Sequence, residues 1–155
     1  MQVLDKVLSE HPFFKGFKDS TLELLGECAR PVQFAAGKTI FREGEPADSF
    51  YLLTHGLVTL DIHLPGKGPV TIQTLQEGEV LGWAWLFPPA KWHFDACALQ
   101  LTRAIRFDGR CLMGKLEQNP ELGFELMKRF SQVIVERLQA ARLQLLDLYG
   151  SGTRT

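Results

Sequence analysis

The sequence is poor in the residues that mark a metalloprotein, a disulfide scaffold or a membrane protein. Its 155 residues include three cysteines, Cys28, Cys97 and Cys111, odd in number and far apart. That count fits reduced, buried thiols in a cytoplasmic protein and predicts neither a disulfide framework nor a zinc site. His11, His55, His63 and His93 form no His-x-His or His-x-x-x-His pair, so no metal site is expected. No apolar run approaches the roughly 20 residues that cross a membrane. The start, MQVLDKVLSE, is too acidic and amphipathic for a signal peptide. A formal net charge of -1 offers no field for nucleic acid or an anionic membrane. There is no Gly-x-Ser-x-Gly, no phosphate-binding Walker loop and no cupin-like histidine set. No catalytic residue is assigned, and the chain is read as a non-enzyme. One local absence matters more: no arginine lies between Pro65 and Leu101.

What fills that gap is aromatic. GEVLGWAWLFPPAKWHFDACAL, from Gly78 to Leu99, holds all three tryptophans, Trp83, Trp85 and Trp92. Phe87, Phe94 and the pair Pro88-Pro89 lie among them. Each aromatic ring buries a large area, so such a cluster is a core plug or the wall of a pocket. Glu79 is the only carboxylate between Gly78 and Phe94. An anion held here would depend on Lys91, His93 or backbone N–H groups.

The rest of the chain reads as one domain with a real core. Val3, Leu4, Val7 and Leu8 give one face of a short helix, ended by His11-Pro12. Ser20-Thr21-Leu22-Glu23 reads as a capping box for a helix to about Ala29, with Leu22, Leu25 and Ala29 inward. From Arg30 the period becomes that of strands. Pro31–Phe34, Thr39–Phe41, Ser49–Leu53 and Leu57–Ile62 are separated by Gly and Pro turns. In the last of these, Val58, Leu60 and Ile62 alternate with Thr59, Asp61 and His63. Leu64 to Pro69 is a loop by composition and Val70–Leu75 the returning strand. Asp95–Leu101 and Arg103–Phe107 close the series. Short strands at this spacing predict a barrel or jelly roll. Glu43, Glu45 and Asp48 lie in a turn beside Gly44 and Pro46 and read as turn-forming, and Asp95 as a strand-end hydrogen-bond acceptor for an indole N–H.

Asp108-Gly109 caps a short helix to about Glu117, and Asn119-Pro120 opens a long one to about Tyr149. Leu126, Phe130, Val133 and Ile134 make its first apolar stripe. Ile134, Leu138, Ala141, Leu145 and Leu148 then step by four, three, four and three, a coiled-coil-like seam that calls for a partner. Gly150 to Thr155 reads as a polar tail.

In this order, FAAGKTIFREGEPADSFYLLTHGLVTLDI followed by LQEGEVLGW and a long helix resembles the cyclic-nucleotide-binding domain, the sensor of catabolite-activator-type regulators, cyclic-nucleotide-dependent kinases and gated channels. The likeness is specific over Gly37 to Gly56. It implies a mainly β fold with flanking helices (α+β): an eight-stranded antiparallel jelly-roll barrel. The helices would occupy 1–29, the barrel 30–107 and the C-terminal helices 108–149, with 150–155 as tail. The long helix would serve as lid or dimer helix.

The likeness also implies a phosphate-binding cassette at Gly78, Glu79, Gly82, Trp83, Ala84, Trp85, Leu86, Lys91, Trp92, His93, Phe94, Asp95 and Ala96. In the family pattern a glutamate accepts from the ribose hydroxyl and an arginine pairs with the cyclic phosphate. Here those positions read Trp83 and Phe94, and the small alanine reads Trp85. Burying a phosphate without its cation costs several kcal/mol. Helix N–H groups after Gly82 return about 1–2 kcal/mol at most. Three readings follow: ordinary cyclic AMP or cyclic GMP binding, another planar or apolar ligand stacked on the tryptophans, or a site filled by its own tryptophans in a dimerising interaction module. This chemistry disfavours the first and leaves the second and third open; residue by residue, Trp83 and Trp85 read as core plugs before ligand platforms, Lys91 and His93 as solvated loop residues, and no cofactor is certain. A homodimer and a regulatory protein partner are expected. The chain stops at Thr155 without a helix-turn-helix, so direct DNA binding is not expected.

Overall fold

The computed structural model describes the backbone from Gln2 to Thr153 and the side chains of Leu4 and residues 6–147. The chain divides into two compact units, Met1–Gln118 and Asn119–Thr155.

The first unit opens with α1 (Gln2–Glu10). It stops where His11 precedes Pro12, and Pro12–Phe14 continues as a single 3-10 turn. α2 spans Asp19–Gly26, with Lys18 at its N-cap and no side-chain cap. The expected capping box is therefore not used. The Lys18 carbonyl accepts from Thr21 and Leu22 N–H, which places Ser20 inside the helix, and Asp19 supplies the first-turn negative charge. Ala29 belongs to the next strand, so only Leu22 and Leu25 remain as the inward leucines of α2.

Eight strands follow: β1 (Ala29–Phe34), β2 (Thr39–Phe41), β3 (Ser49–His55), β4 (Leu57–Leu64), β5 (Gly68–Gln76), β6 (Val80–Leu81), β7 (Asp95–Ala98) and β8 (Thr102–Asp108). They pair antiparallel in two four-stranded sheets of order β1-β8-β3-β6 and β2-β7-β4-β5, the jelly-roll arrangement. The sheets stay separate, and the closed barrel expected from the sequence does not form. Closure needs an unbroken ladder, and β2 and β6 have only three and two residues. The β4–β5 hairpin is tighter than its Gly/Pro composition suggests. β4 pairs as far as Leu64↔Gly68, with Gly66 and Gly68 in the left-handed region at the turn.

β3 is buried on both faces from Ser49 to Leu53. On one face Phe50 stacks on Phe107, 4.6 Å between centroids, and Phe13 and Phe14 of the 3-10 turn cover the pair. The other face, Tyr51 and Leu53, turns to the second sheet, which contributes Val58, Leu60, Leu75, Ala96 and Ala98.

α3 (Gly109–Gln118) begins with the Cys111 N–H donating to Asp108 Oδ1 at 3.0 Å, the cap the sequence indicates. The cysteines do not behave as expected. Cys28 and Cys111 form a disulfide, Cα atoms 5.6 Å apart across 83 residues of sequence. The Asp108 N–H donates to the Cys28 carbonyl at 2.9 Å, which brings the start of α3 beside the end of α2. Spacing along the chain cannot reveal a pairing made by that long-range contact. Cys97 is free and half-buried.

The second unit is α4 (Pro120–Thr153), 34 residues with proline at its first position. It runs through Gly150, where the sequence predicts a tail.

Candidate functional site: an aromatic cassette and a helix seam

The cassette begins where β3 meets β6. Leu53 N–H donates to the Glu79 carbonyl at 3.0 Å, and Gly78 N–H to the Leu53 carbonyl at 2.9 Å. Glu79 closes its own turn, Oε2 accepting from Gln76 N–H at 2.6 Å. Gly78 and Gly82 both have φ near +90°, at 89° and 95°. Gly82 tolerates no side chain. A Cβ there would lie 2.7 Å from Cη2 and Cζ3 of the Trp92 ring.

After Gly82 the chain makes one 3-10 turn, Ala84–Leu86. This is too short to carry a helix dipole of any size. The three tryptophans then part company. Trp85 is buried and stacks on Phe50, centroids 5.6 Å apart, on the helix-covered face of the first sheet. Trp92 is 4% exposed and stacks on Phe41 of β2. Trp83 is half-buried. They do not form one aromatic wall.

The return limb of the cassette is strapped to the turn between β2 and β3. Gly44 N–H donates to the Trp92 carbonyl at 2.8 Å, Trp92 N–H to the Glu45 carbonyl at 3.0 Å and Ala47 N–H to the Ala90 carbonyl at 2.6 Å. Pro46 and Lys91 form an antiparallel bridge. Lys91 and His93 keep exposed side chains. Glu45 Oε1 accepts from Arg42 N–H at 3.0 Å, the turn-forming role expected of it.

Phe94 tilts against Phe41, centroids 5.9 Å apart. Asp95 is buried at the start of β7 beside Ala96. Its Oδ1 accepts from the Glu43 N–H at 2.7 Å, and Oδ2 lies 3.5 Å from His63 Nδ1. The expected acceptor role holds, with a backbone N–H as donor where an indole was expected. Phe41, Glu43 and His63 escape sequence reasoning because they come from β2, its following turn and β4. Only the strand register brings them here: Phe41↔Ala96 and Asp61↔Asp95. Among the described residues no group of three or more His, Cys, Asp or Glu side chains could hold a metal ion.

On α4, Leu122, Leu126 and Phe130 are buried, and Val133 and Ile134 half-buried. Leu138 is 57% exposed, Leu145 54%, and Ala141 is exposed; the Leu148 side chain lies outside the described residues. The same three-four stepping extends back through Ser131 to Met127 and Phe124, and Phe124 is 64% exposed. That extension is missed by reading the first half of the helix as core stripe alone.

The family profile "Cyclic nucleotide-binding domain" matches residues 31–119. A "CRP-like cAMP-activated global transcriptional regulator" of Mycobacterium tuberculosis is 26% identical over 145 residues, 94% of this chain and 63% of that protein. The chain thus spans less than two thirds of that relative. A cyclic nucleotide-binding domain from Methylobacillus flagellatus superposes with a TM-score of 0.80 at 19% identity, over 94% of this chain and 82% of that one. The N-terminal domain of a transcriptional regulator from Streptomyces coelicolor gives 0.70 at 25% identity, over 86% and 94%. With two jelly-roll sheets, flanking helices and the profile running from β1 through α3, this chain belongs to the cyclic nucleotide-binding domain family.

Proposed function

We propose that this domain is a regulatory interaction module that pairs as a homodimer along α4 and does not take cyclic AMP or cyclic GMP in the usual mode. The observation that carries the reading is Trp92. Its indole is buried, flat on Phe41 and against Gly82, on the ground where the family resemblance puts the phosphate. A phosphate brought there would lose its water and meet no arginine. Asp95, one residue beyond the family's arginine position, presents a buried carboxylate. Lys91 and His93 point to solvent and read as loop residues.

On this reading the domain is not an enzyme and works in the cytoplasm. Among the described residues no helix is long and apolar enough to cross a membrane. Control passes through α4 to a second copy, and from the pair to a regulatory partner, as a shift between populated states.

A second reading is genuine cyclic-nucleotide binding, with Trp92 displaced. The relative from M. tuberculosis, described as cAMP-activated and aligned over 94% of this chain, favours it. Titration of cyclic AMP and cyclic GMP, followed by tryptophan fluorescence, separates the two. No saturable change below millimolar concentration is expected. Saturation in the micromolar range would move the conclusion to the second reading. Sedimentation tests the pairing, and a monomer at high concentration would remove it.

A further inference from the structure

The Cys28–Cys111 disulfide is used by nothing described so far. Cys28 is buried where α2 hands over to β1, and Cys111 is half-buried in the first turn of α3. α3 has other attachments as well. Of its ten residues only Gly109 and Leu112 are buried. Gly109 N–H donates to the Asp48 carbonyl at 2.8 Å, and Asp108 caps the first turn. Lys115 Nζ lies 3.4 Å from Glu27 Oε1, but Glu27 is mostly exposed and such surface pairs contribute little. A helix of this length does not hold by itself in water. Leu112 supplies a buried apolar anchor for α3, and the cysteine pair ties its first turn covalently to the α2–β1 junction.

We propose that Cys28–Cys111 is a reversible thiol switch that sets how firmly α3 is held, operated by a dithiol reductant. Where a compartment is reducing, disulfides that do occur are usually transient or sensing. Cys111 is the less buried of the two cysteines, so the attack is assigned to its Sγ. A thiolate of the reductant attacks Cys111 Sγ and forms a mixed disulfide. The bond to Cys28 breaks, and Cys28 leaves as a thiolate that takes up a proton. The second thiol of the reductant then attacks its own sulfur in the mixed disulfide and expels the Cys111 thiolate, which is protonated in turn. The protein gains two electrons and two protons, and the reductant departs as a disulfide. The chain passes from β8 through α3 into α4, so loosening α3 gives redox state a route to α4 that needs no ligand in the cassette.

Thiol counting and hydrogen exchange on the full chain test this. Purified without reductant, unfolded and alkylated, the protein should carry one label, on Cys97; after dithiothreitol it should carry three. In the native protein, reduction should speed exchange of Gly109–Gln118 amides about tenfold or more, as a locally opened segment does, with β3 and β8 unchanged. Cys111→Ser without reductant should match the reduced wild type, and Cys28→Ser serves if that variant does not fold. Three labels before reduction would overturn the switch. So would α3 exchange indifferent to dithiothreitol, or protection lost in β3 together with α3, which would mark a staple for the whole unit.

Discussion

The Trp92 indole lies on the Phe41 ring with centroids 3.7 Å apart and planes within 6°. Gly82 lies against its Cη2 and Cζ3 atoms with φ +95° and no room for a Cβ. Removing the indole empties a large buried volume, so Trp92→Ala should lower stability by about 3–5 kcal/mol in urea unfolding. Gly82→Ala should lower it by about 1–3 kcal/mol through the clash with Trp92 and the left-handed backbone. Only the clash depends on the tryptophan. In a Trp92→Leu background Gly82→Ala should therefore do less harm, with a coupling of about 1 kcal/mol in the double-mutant cycle. Strict additivity would mean that the two residues do not press on each other.

Asp95 joins three segments: β7, which carries it, the turn at Glu43 and β4 at His63. Its Oδ1 bond to the Glu43 N–H, at 2.7 Å, is the short one. Asp95→Ala leaves that N–H without its acceptor and should cost about 1–3 kcal/mol. Asp95→Asn keeps an oxygen acceptor and should cost clearly less. Urea midpoints for the two variants decide this. Equal losses would show that charge on Asp95, and not its bond to the turn, is what the fold uses.

Much of the fold was legible because strand alternation is a local signal. Val58, Leu60 and Ile62 against Thr59, Asp61 and His63 placed β4, and Asp108 and Pro120 placed the starts of α3 and α4. β6 was not legible, since Val80–Leu81 is too short to show any period. The α2 cap misled because Ser20 and Glu23 fit the capping pattern, while Lys18 and Asp19 form the actual start. In the cassette the residue types could be read, but their fates could not. Whether a tryptophan plugs a core depends on its partner ring. Trp85 meets Phe50 from β3 and Trp92 meets Phe41 from β2, pairings made by contacts distant in sequence rather than by neighbours along the chain. The disulfide was hidden for the same reason, with its two cysteines joined only through the contact of α3 with the α2–β1 junction.

His11 ties the end of α1 to β3. Its Nδ1 accepts from Phe13 N–H at 3.1 Å and its Nε2 lies 3.3 Å from the Leu53 carbonyl, a pairing made by the neutral ring with its proton on Nε2. Burial holds its pKa below 6.5, against the opposing pull of the Leu53 carbonyl and of Glu77. The unfolded chain then binds a proton more readily than the folded one. The stability from this group is fully present above about pH 6.5, the ordinary histidine value, and is lost as pH falls through the lowered folded pKa. Urea midpoints should fall from pH 7.5 to pH 5. His11→Asn, which can still accept from Phe13 and does not titrate, should show a shallower fall. An identical pH slope in the two proteins would assign the acid sensitivity to other groups.

The seam of α4 makes the sharpest claim about assembly. Phe124, Met127, Ser131, Ile134, Leu138, Ala141 and Leu145 step by three and four along one line, and Phe124, Leu138 and Leu145 are more than half exposed. A narrow line of this kind fits a facing helix, whereas a core face is broader. In a parallel symmetric pair, residues on such a line meet their own copies. In the proposed dimer Leu138→Glu would set two carboxylates against each other in a desolvated centre, and should weaken association about 100-fold or more. Leu143 is just as apolar and 63% exposed, but it lies on the opposite side of the helix from the seam. Leu143→Glu should leave association within about threefold, since it adds only a solvated surface charge. Sedimentation equilibrium on both variants separates a specific seam from general stickiness of an apolar helix. Equal weakening by both substitutions would discard the seam, and an unchanged dimer with Leu138→Glu would move the interface off this line.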